Sequence, residues 1–161
     1  MHGLESEGFT LEINGVAHTF ITAGDFEASV AFYRQLLPFM GLQEVADSAD
    51  TYYCVGGRTG FGIRRPDAAH AGATYAQFRV GSLHHQCWRV RDRRDIDEAY
   101  AFLVTIGAKI VHAPQDEPWA PGYYSVLFED PDGIRLELNH VPGRGLFDTA
   151  TQRVAASLDE R

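Results

Sequence analysis

The stretch "LHHQCWRV", residues 83 to 90, reads as the first strand of a unit that the chain has already used once. An earlier stretch, "GVAHTFITA" at residues 15 to 23, shows the side-chain alternation of a strand as well. His18 in the earlier stretch and His85 in the later one hold the same place, about 67 residues apart. That period is too long for a solenoid and fits the duplication of a supersecondary unit.

Each copy continues with a predicted helix and three further strands. In the first copy, Asp25 is the expected N-cap of a helix that Pro38 ends, and strands follow at 43 to 47, 51 to 56 and 60 to 65. In the second copy, a helix begins near Asp95 with Glu98 as its capping-box partner, and Gly107 ends it. Its strands are predicted at 109 to 114, 123 to 129 and 134 to 140. The pattern predicts an α+β fold made of two βαβββ modules.

Length and hydrophobic content predict a single domain. With 161 residues and 45% hydrophobic content, the chain predicts one domain at 13–142, with module one at 13–66 and module two at 82–142. Residues 1–12 are expected to form a flexible extension, and 143–161 an amphipathic tail helix.

Composition also excludes several partners. The net charge is −8 and no basic tract occurs, which argues against nucleic acid as a partner. No apolar run reaches the roughly 20 residues that span a bilayer, and the first residues lack the features of a signal peptide. We therefore expect a cytoplasmic protein with no membrane partner, in which Cys54 and Cys87 are free thiols.

Strand alternation brings candidate ligands to one face. In the second copy it assigns His85 and Cys87 to one face and Trp88 to the face under the helix. In the final strand Glu137 lies on the face opposite the apolar residues, so its side chain is expected on the same concave face of the sheet as His85. His18, His85 and Glu137 then form a facial set of two imidazoles and one carboxylate. Such a set suits a divalent metal ion that keeps coordination positions open. By the same alternation His84 is expected to face away and to pack or hydrogen-bond near the helix.

Three stretches, "HTFITAGDFEASVAFYRQLL", "HHQCWRV" and "DPDGIRLEL", together resemble the vicinal oxygen chelate superfamily over about residues 14 to 141. This superfamily includes glyoxalase I, type I extradiol dioxygenases, fosfomycin-resistance enzymes and bleomycin-binding proteins. The resemblance implies one eight-stranded, cup-shaped mixed sheet with helices on its outer face and a divalent metal at its centre. It assigns His18, His85 and Glu137 as metal ligands, with Fe, Mn, Zn or Ni as the ion.

One position departs from the glyoxalase I pattern. Glyoxalase I and related epimerases usually take a fourth ligand, Glu or Gln, from the last strand of the first module, near Ile63 here, and that strand reads GFGIRR. The resemblance therefore implies an enzyme whose small-molecule substrate chelates the metal through adjacent oxygens, with dioxygenase-type chemistry slightly favoured. The alternatives are a glyoxalase-like lyase or isomerase, an antibiotic-modifying transferase, or a metal-free protein that binds a small molecule such as an antibiotic.

Other side chains are candidates for supporting roles. Glu137 has a catalytic role as the metal-bound carboxylate, and His112 is a candidate acid or base because an imidazole titrates near neutrality. Six further residues are candidates for lining the substrate pocket: Phe20, Tyr53, Phe61, Arg65, Trp119 and Tyr124. We also expect a homodimer, since many small relatives dimerise and buried edge strands favour it.

Overall fold

The structure is a computed structural model that describes residues 11, 13 and 15–143. Its elements, in chain order, are β1 Thr19–Thr22, α1 Phe26–Phe39, β2 Gln43–Asp47, β3 Thr51–Gly56, β4 Thr59–Arg64, β5 Gln86–Arg89, α2 Arg93–Thr105, β6 Lys109–Asp116, β7 Tyr124–Glu129 and β8 Arg135–His140. The order βαβββ thus occurs twice. The predicted α+β fold of two such modules is confirmed.

Both helices begin where polar side chains satisfy their first backbone N–H groups. Asp25 caps α1 and accepts a hydrogen bond from the Ala28 N–H at 3.0 Å. Helix α2 begins three residues earlier than predicted: Asp92 is its N-cap, and Asp95 is the reciprocal partner of the capping box. Asp95 accepts from the Asp92 N–H at 2.9 Å. Both acidic residues belong to the cap, and sequence alone did not separate their roles.

Backbone hydrogen bonds join the strands into two four-stranded mixed sheets, in the orders β1-β4-β3-β2 and β5-β8-β7-β6. In each sheet the first strand of the module pairs in parallel with the last one. The described residues contain no ladder between β1 and β5, so the expected continuous eight-stranded sheet is not confirmed. These two strands approach each other through side chains, as Thr19 Oγ1 and Gln86 Oε1 lie 3.3 Å apart.

The modules share one hydrophobic core. Tyr33 of α1 and Phe61 of β4 are fully buried beside each other, and the edge of the Trp88 ring from β5 meets Phe61 at a centroid distance of 5.1 Å. The Tyr33 hydroxyl donates to the buried Asp130 carboxylate of module two at 2.8 Å. Packing and hydrogen bonding therefore hold the two copies together as one unit.

The turn 130–133 between β7 and β8 also binds the start of α1. Asp132 accepts hydrogen bonds from the N–H groups of Gly24, at 2.8 Å, and of Asp25, at 3.2 Å. The side chain of a residue from module two thereby satisfies N–H donors at the helix terminus of module one.

Two further observations concern the ends of the chain and its helices. The predicted extension at 1–12 and the predicted tail helix at 143–161 lie outside the described residues, apart from positions 11 and 143. Neither described helix is long and apolar enough to cross a membrane.

Candidate functional site

The candidate site lies on the face of the second sheet that carries Glu137. Glu137 pairs in register with Cys87 of β5 on one side and with Leu127 of β7 on the other. Register partners in neighbouring strands project to the same face, so Cys87 and Leu127 flank Glu137. The carboxylate is largely buried, with 12% of its side chain exposed.

Tyr123 holds one oxygen of this carboxylate. Its hydroxyl donates to Glu137 Oε1 at 2.5 Å. Burial, followed by the hydrogen bond to Glu137, raises the pKa of Tyr123 far above its ordinary value. The phenol therefore stays neutral and donates, which leaves Glu137 Oε2 as the oxygen available to a ligand.

His85 faces that second oxygen. Its Nε2 lies 3.7 Å from Glu137 Oε2, and 42% of the His85 side chain is exposed. The other ring nitrogen, Nδ1, lies 2.8 Å from Nδ1 of His84. The alternation from which His84 was expected to face away does not apply, because β5 begins at Gln86. Both histidines precede the strand, so strand alternation does not govern their directions.

Cys87 lies beside the carboxylate as a thiol. Burial, followed by the negative charge of Glu137, raises the pKa of Cys87 to about 12. A thiolate is the form that binds metals and attacks electrophiles. At neutral pH Cys87 is therefore a small apolar wall of the site.

Two buried polar atoms lie on the same face. Ser125 and Asn139 are register partners on β7 and β8, two positions from Leu127 and Glu137 respectively. Ser125 Oγ and Asn139 Oδ1 are buried, with no hydrogen-bond partner among the described residues. Leaving such an atom unpaired costs about 1 to 3 kcal/mol, so this part of the face favours a polar occupant.

His18 lies just before β1 and is exposed. Its ring edge meets Phe20 at a centroid distance of 5.7 Å. The contact between Thr19 and Gln86 at 3.3 Å brings together the residues that follow His18 and His85 in the chain. Among the residues that the structure describes, however, no group of three His, Cys, Asp or Glu side chains is arranged to hold a metal ion. The predicted three-ligand set is therefore not assembled here.

In the last strand of module one, a glycine holds the place that Glu137 has in module two. Phe20 holds the place that Cys87 has in module two, and it pairs with Gly62 as Cys87 pairs with Glu137. A Cβ on Gly62 would lie 2.2 Å from Phe20 Cε1. The Phe20 ring, which stacks on Tyr53 at 4.9 Å between centroids, thus covers Gly62.

The remaining predicted site residues lie apart from Glu137. His112 shares its face across two strands through Leu127, about 10 Å away by strand spacing, and its Nε2 is 3.6 Å from Glu117 Oε1. Arg65 donates to Glu27 Oε1 at 2.7 Å, beside the start of α1. Phe61 belongs to the buried core.

The aromatic residues near 120 separate into two groups. Trp119 packs with the buried Ala120 and Tyr123 above the candidate site. Tyr124 points toward α2, where its hydroxyl donates to Asp97 at 2.7 Å. Tyr123 is therefore the tyrosine of this pair that meets Glu137. Strand β7 begins at Tyr124, one residue later than predicted.

The donors present fit a divalent ion in part. An imidazole nitrogen and a carboxylate oxygen that face each other are ordinary ligands for Zn(II), Mn(II), Ni(II) or Fe(II). Two ligands of one ion at bond lengths of about 2.1 Å lie roughly 3 to 3.7 Å apart, and the His85 and Glu137 atoms are 3.7 Å apart. These two side chains fit the ion, while the third donor is not brought to them.

The two-module fold and the position of Glu137 define a class of protein, and comparison with known proteins identifies it. The family model for the Glyoxalase/Bleomycin resistance protein/Dioxygenase superfamily matches residues 15–138. The chain belongs to this superfamily. None of the curated proteins compared with the chain matches it.

Solved structures show the same fold. A Bacillus halodurans protein described as a candidate glyoxalase has a TM-score of 0.68 and 24% identity, over 80% of this chain and 96% of its own. A glyoxylase/bleomycin resistance protein/dioxygenase domain from Frankia sp. EAN1pec has a TM-score of 0.63 and 24% identity, over 80% and 98%. Lactoylglutathione lyase from Agrobacterium tumefaciens has a TM-score of 0.59 and 22% identity, over 80% and 94%.

Proposed function

We propose that this protein is a metal-dependent enzyme whose small-molecule substrate chelates a divalent ion through adjacent oxygens. His85 and Glu137 hold the ion and His18 completes the set. The observation that carries the proposal is the 3.7 Å approach of His85 Nε2 to Glu137 Oε2. Hydrogen bonds engage the other atom of each group, to His84 at 2.8 Å and to Tyr123 at 2.5 Å. Such outer partners orient metal ligands in proteins.

The protein's own groups suit a polar substrate. When bound, the ion supplies a Lewis acid that lowers the pKa of an oxygen coordinated to it. Tyr123 keeps Glu137 Oε1 occupied and excludes water from it. Ser125 Oγ and Asn139 Oδ1 are closed off from solvent, so they add polar character to this face without contacting a substrate directly.

The glycine at position 62 supports the proposed reaction type. With a glycine where a fourth ligand would stand, two histidines and one carboxylate leave more positions open on the ion. This favours dioxygenase-type chemistry slightly over glyoxalase-like lyase or isomerase chemistry and over antibiotic-modifying transfer. The lyase from Agrobacterium tumefaciens shares 22% identity with this chain, a level that supports only a common fold.

A metal-free binding protein is the second candidate, and one observation favours it. In the described part of the chain, three potential ligands are not gathered, whereas Phe20 and Tyr53 form a stacked pair. Phe20 is 43% exposed. An exposed aromatic pair provides a flat apolar surface for a small planar molecule.

Metal analysis separates the two candidates. Protein purified without added metal is analysed for Fe, Mn, Zn and Ni, beside the variants His85→Ala and Glu137→Gln and the control His70→Ala, whose ring lies 2.6 Å from Asp67 on an exposed loop. The enzyme proposal expects near-stoichiometric metal that both site variants lose and the control keeps. Absence of metal in the wild type, with no uptake on addition of each ion, contradicts it and supports the binding protein.

Substrate screening then addresses the reaction. Catechols, hemithioacetals of 2-oxoaldehydes and antibiotics such as fosfomycin are tested against the Fe(II), Mn(II), Zn(II) and Ni(II) forms. Ring cleavage that requires Fe(II) or Mn(II) supports the dioxygenase assignment. Turnover of hemithioacetals alone contradicts that assignment and supports the lyase.

A further inference from the structure

A hydrogen-bonded chain leads from the segment between the modules to the candidate site. Gln77 Nε2 lies 3.1 Å from His84 Nε2, and His84 Nδ1 lies 2.8 Å from His85 Nδ1. His85 Nε2 then faces Glu137 Oε2 at 3.7 Å. Each ring nitrogen of the two histidines thus has a defined neighbour.

The His84 ring is held in place although it is exposed. The Tyr75 hydroxyl donates to the carbonyl oxygen of Leu83 and lies 3.3 Å from that of His84. The Phe78 ring meets the His84 ring edge-on at 5.4 Å between centroids. These contacts fix the backbone and one side of the imidazole, so its nitrogens keep their directions.

The chemistry of the chain couples the two histidines. An amide nitrogen only donates, so with Gln77 Nε2 against it, His84 Nε2 accepts, and a neutral His84 carries its proton on Nδ1. His84 Nδ1 then donates to His85 Nδ1, because a contact of 2.8 Å between two ring nitrogens requires one donor and one acceptor. His85 must consequently carry its own proton on Nε2, toward Glu137.

A second complete arrangement exists. A metal at His85 Nε2 requires a lone pair there, so the proton of His85 moves to Nδ1 and is donated to His84 Nδ1. His84 then carries its proton on Nε2, and the Gln77 amide turns over to accept it with its oxygen. The hydrogen bond between the two histidines and the one between Gln77 and His84 are kept in both arrangements.

We infer that His84 and Gln77 are positioning residues that set the tautomer of His85, exposing or protonating its Nε2 in concert with the Gln77 amide. The role toward a metal rests on the proposed function, whereas the control of the tautomer does not. The pair acts only through His85 and contacts no substrate in this account.

The tautomer is measured on the metal-free protein by ¹⁵N NMR of the imidazole rings. The expected result is one tautomer of His85, protonated on Nε2, with a through-hydrogen-bond ¹⁵N–¹⁵N coupling to a proton-bearing His84 Nδ1. In His84→Phe, which keeps a ring against Phe78, the coupling disappears, the His85 Nδ1 signal shifts and both tautomers are populated. Gln77→Met, which removes the amide without touching either ring, is expected to populate both tautomers as well. His70→Phe is the matched control and leaves His85 unchanged.

Zinc affinity gives the second readout. His84→Phe and Gln77→Met are expected to bind zinc about 10- to 100-fold more weakly, the usual loss when an outer partner of a metal ligand is removed. Unchanged His85 signals in both variants overturn the inference, as does a wild-type His85 protonated on Nδ1 without metal. If the wild type binds no zinc, the proposed metal site fails, and the metal-free spectra still decide the inference.

Discussion

The Phe20 side chain occupies the space beside Gly62 that a larger residue at position 62 would need. Phe20 lies over Gly62 so closely that a Cβ there would lie 2.2 Å from its ring. In the second module the equivalent pair is Cys87 and Glu137. The absence of a side chain at position 62 therefore belongs to a packing arrangement, because any side chain there must displace the Phe20 ring.

A double-mutant cycle tests this packing. Gly62→Ala is expected to lower the free energy of unfolding by about 1 to 3 kcal/mol, because the Phe20 ring must leave its position. In a Phe20→Ala background the same change costs less, giving a coupling energy of at least about 1 kcal/mol in urea unfolding. Equal costs in both backgrounds would contradict the close contact.

Asp130 makes stability depend on pH. Burial raises the pKa of Asp130 from its ordinary 3.8 to about 6, against the lowering effect of the Tyr33 hydrogen bond. Because the folded pKa is the higher one, the folded state binds more protons between these values. The contribution of this group to stability is therefore fully present below about pH 4 and is lost as the pH rises through about 6.

Asp130→Asn isolates this effect. The difference in free energy of unfolding between the wild type and the variant is expected to fall by roughly 2 to 3 kcal/mol from pH 4 to pH 7. Taking the difference removes the opposite trend of exposed carboxylates such as Asp116, whose pKa Arg93 lowers. A difference that is flat with pH, or that grows, would exclude the raised pKa.

Sequence reasoning found Glu137 through strand alternation, because that residue lies inside a strand. The directions of His84 and His85 were not readable in this way, because both histidines precede β5. The sequence also did not distinguish Tyr123 as the tyrosine that meets Glu137, because that hydrogen bond depends on how the loop before β7 folds back. Position within a strand is readable from a pattern of period two, whereas a side-chain contact from a loop is a tertiary feature.

The turn 130–133, which connects β7 to β8, also binds module one. Asp132 accepts hydrogen bonds from the N–H groups of Gly24 and Asp25, and the Ser29 hydroxyl lies 3.3 Å from it. The start of α1 therefore depends on a residue more than 100 positions away. The sequence marked this stretch as a tight turn, and its contact with α1 was not readable from local pattern.

Asp132→Ala is expected to cost about 1 to 2 kcal/mol of stability, as loss of a helix cap does. Hydrogen exchange at the Gly24 and Asp25 amides is expected to speed up. Asp92→Ala, which removes the cap of α2 within its own module, serves as the comparison and leaves those two amides protected. Unchanged exchange in Asp132→Ala would show that the contact does not stabilise α1.

The two described sheets have four edge strands, β1, β2, β5 and β6. β1 and β5 approach each other through side chains, whereas β2 and β6 carry exposed valines. Val45 of β2 is 56% exposed and Val111 of β6 is 38% exposed. Exposed apolar edges favour pairing with another chain. The homodimer expected from the sequence stays a prediction, and these edges are where we expect contact.

Light scattering after size-exclusion chromatography tests the predicted homodimer. The wild type is expected at twice the chain mass of 17.9 kDa, and Val45→Lys combined with Val111→Lys at the mass of one chain. Val104→Lys, at an exposed position of α2, is the matched control and leaves the dimer intact. A monomeric wild type would contradict the prediction.

The duplication, the element order and the family were readable from the sequence because they depend on periodicity and short motifs, such as DPDG at 130–133. Whether His18 lies close enough to His85 and Glu137 to share a metal ion was not readable from the sequence, because it depends on how the ends of β1 and β5 approach each other. Side chains of Thr19 and Gln86 bridge these strands, without a backbone ladder in the described residues. Spacing along the chain does not encode that approach.

X-ray absorption spectroscopy of the zinc-loaded protein counts the imidazoles bound to the ion. We expect a first shell of nitrogen and oxygen atoms at about 2.0 to 2.2 Å, with scattering from two imidazoles in the wild type and from one in His18→Ala. A wild-type spectrum without imidazole scattering would contradict the three-ligand site. So would a His18→Ala spectrum that equals that of the wild type.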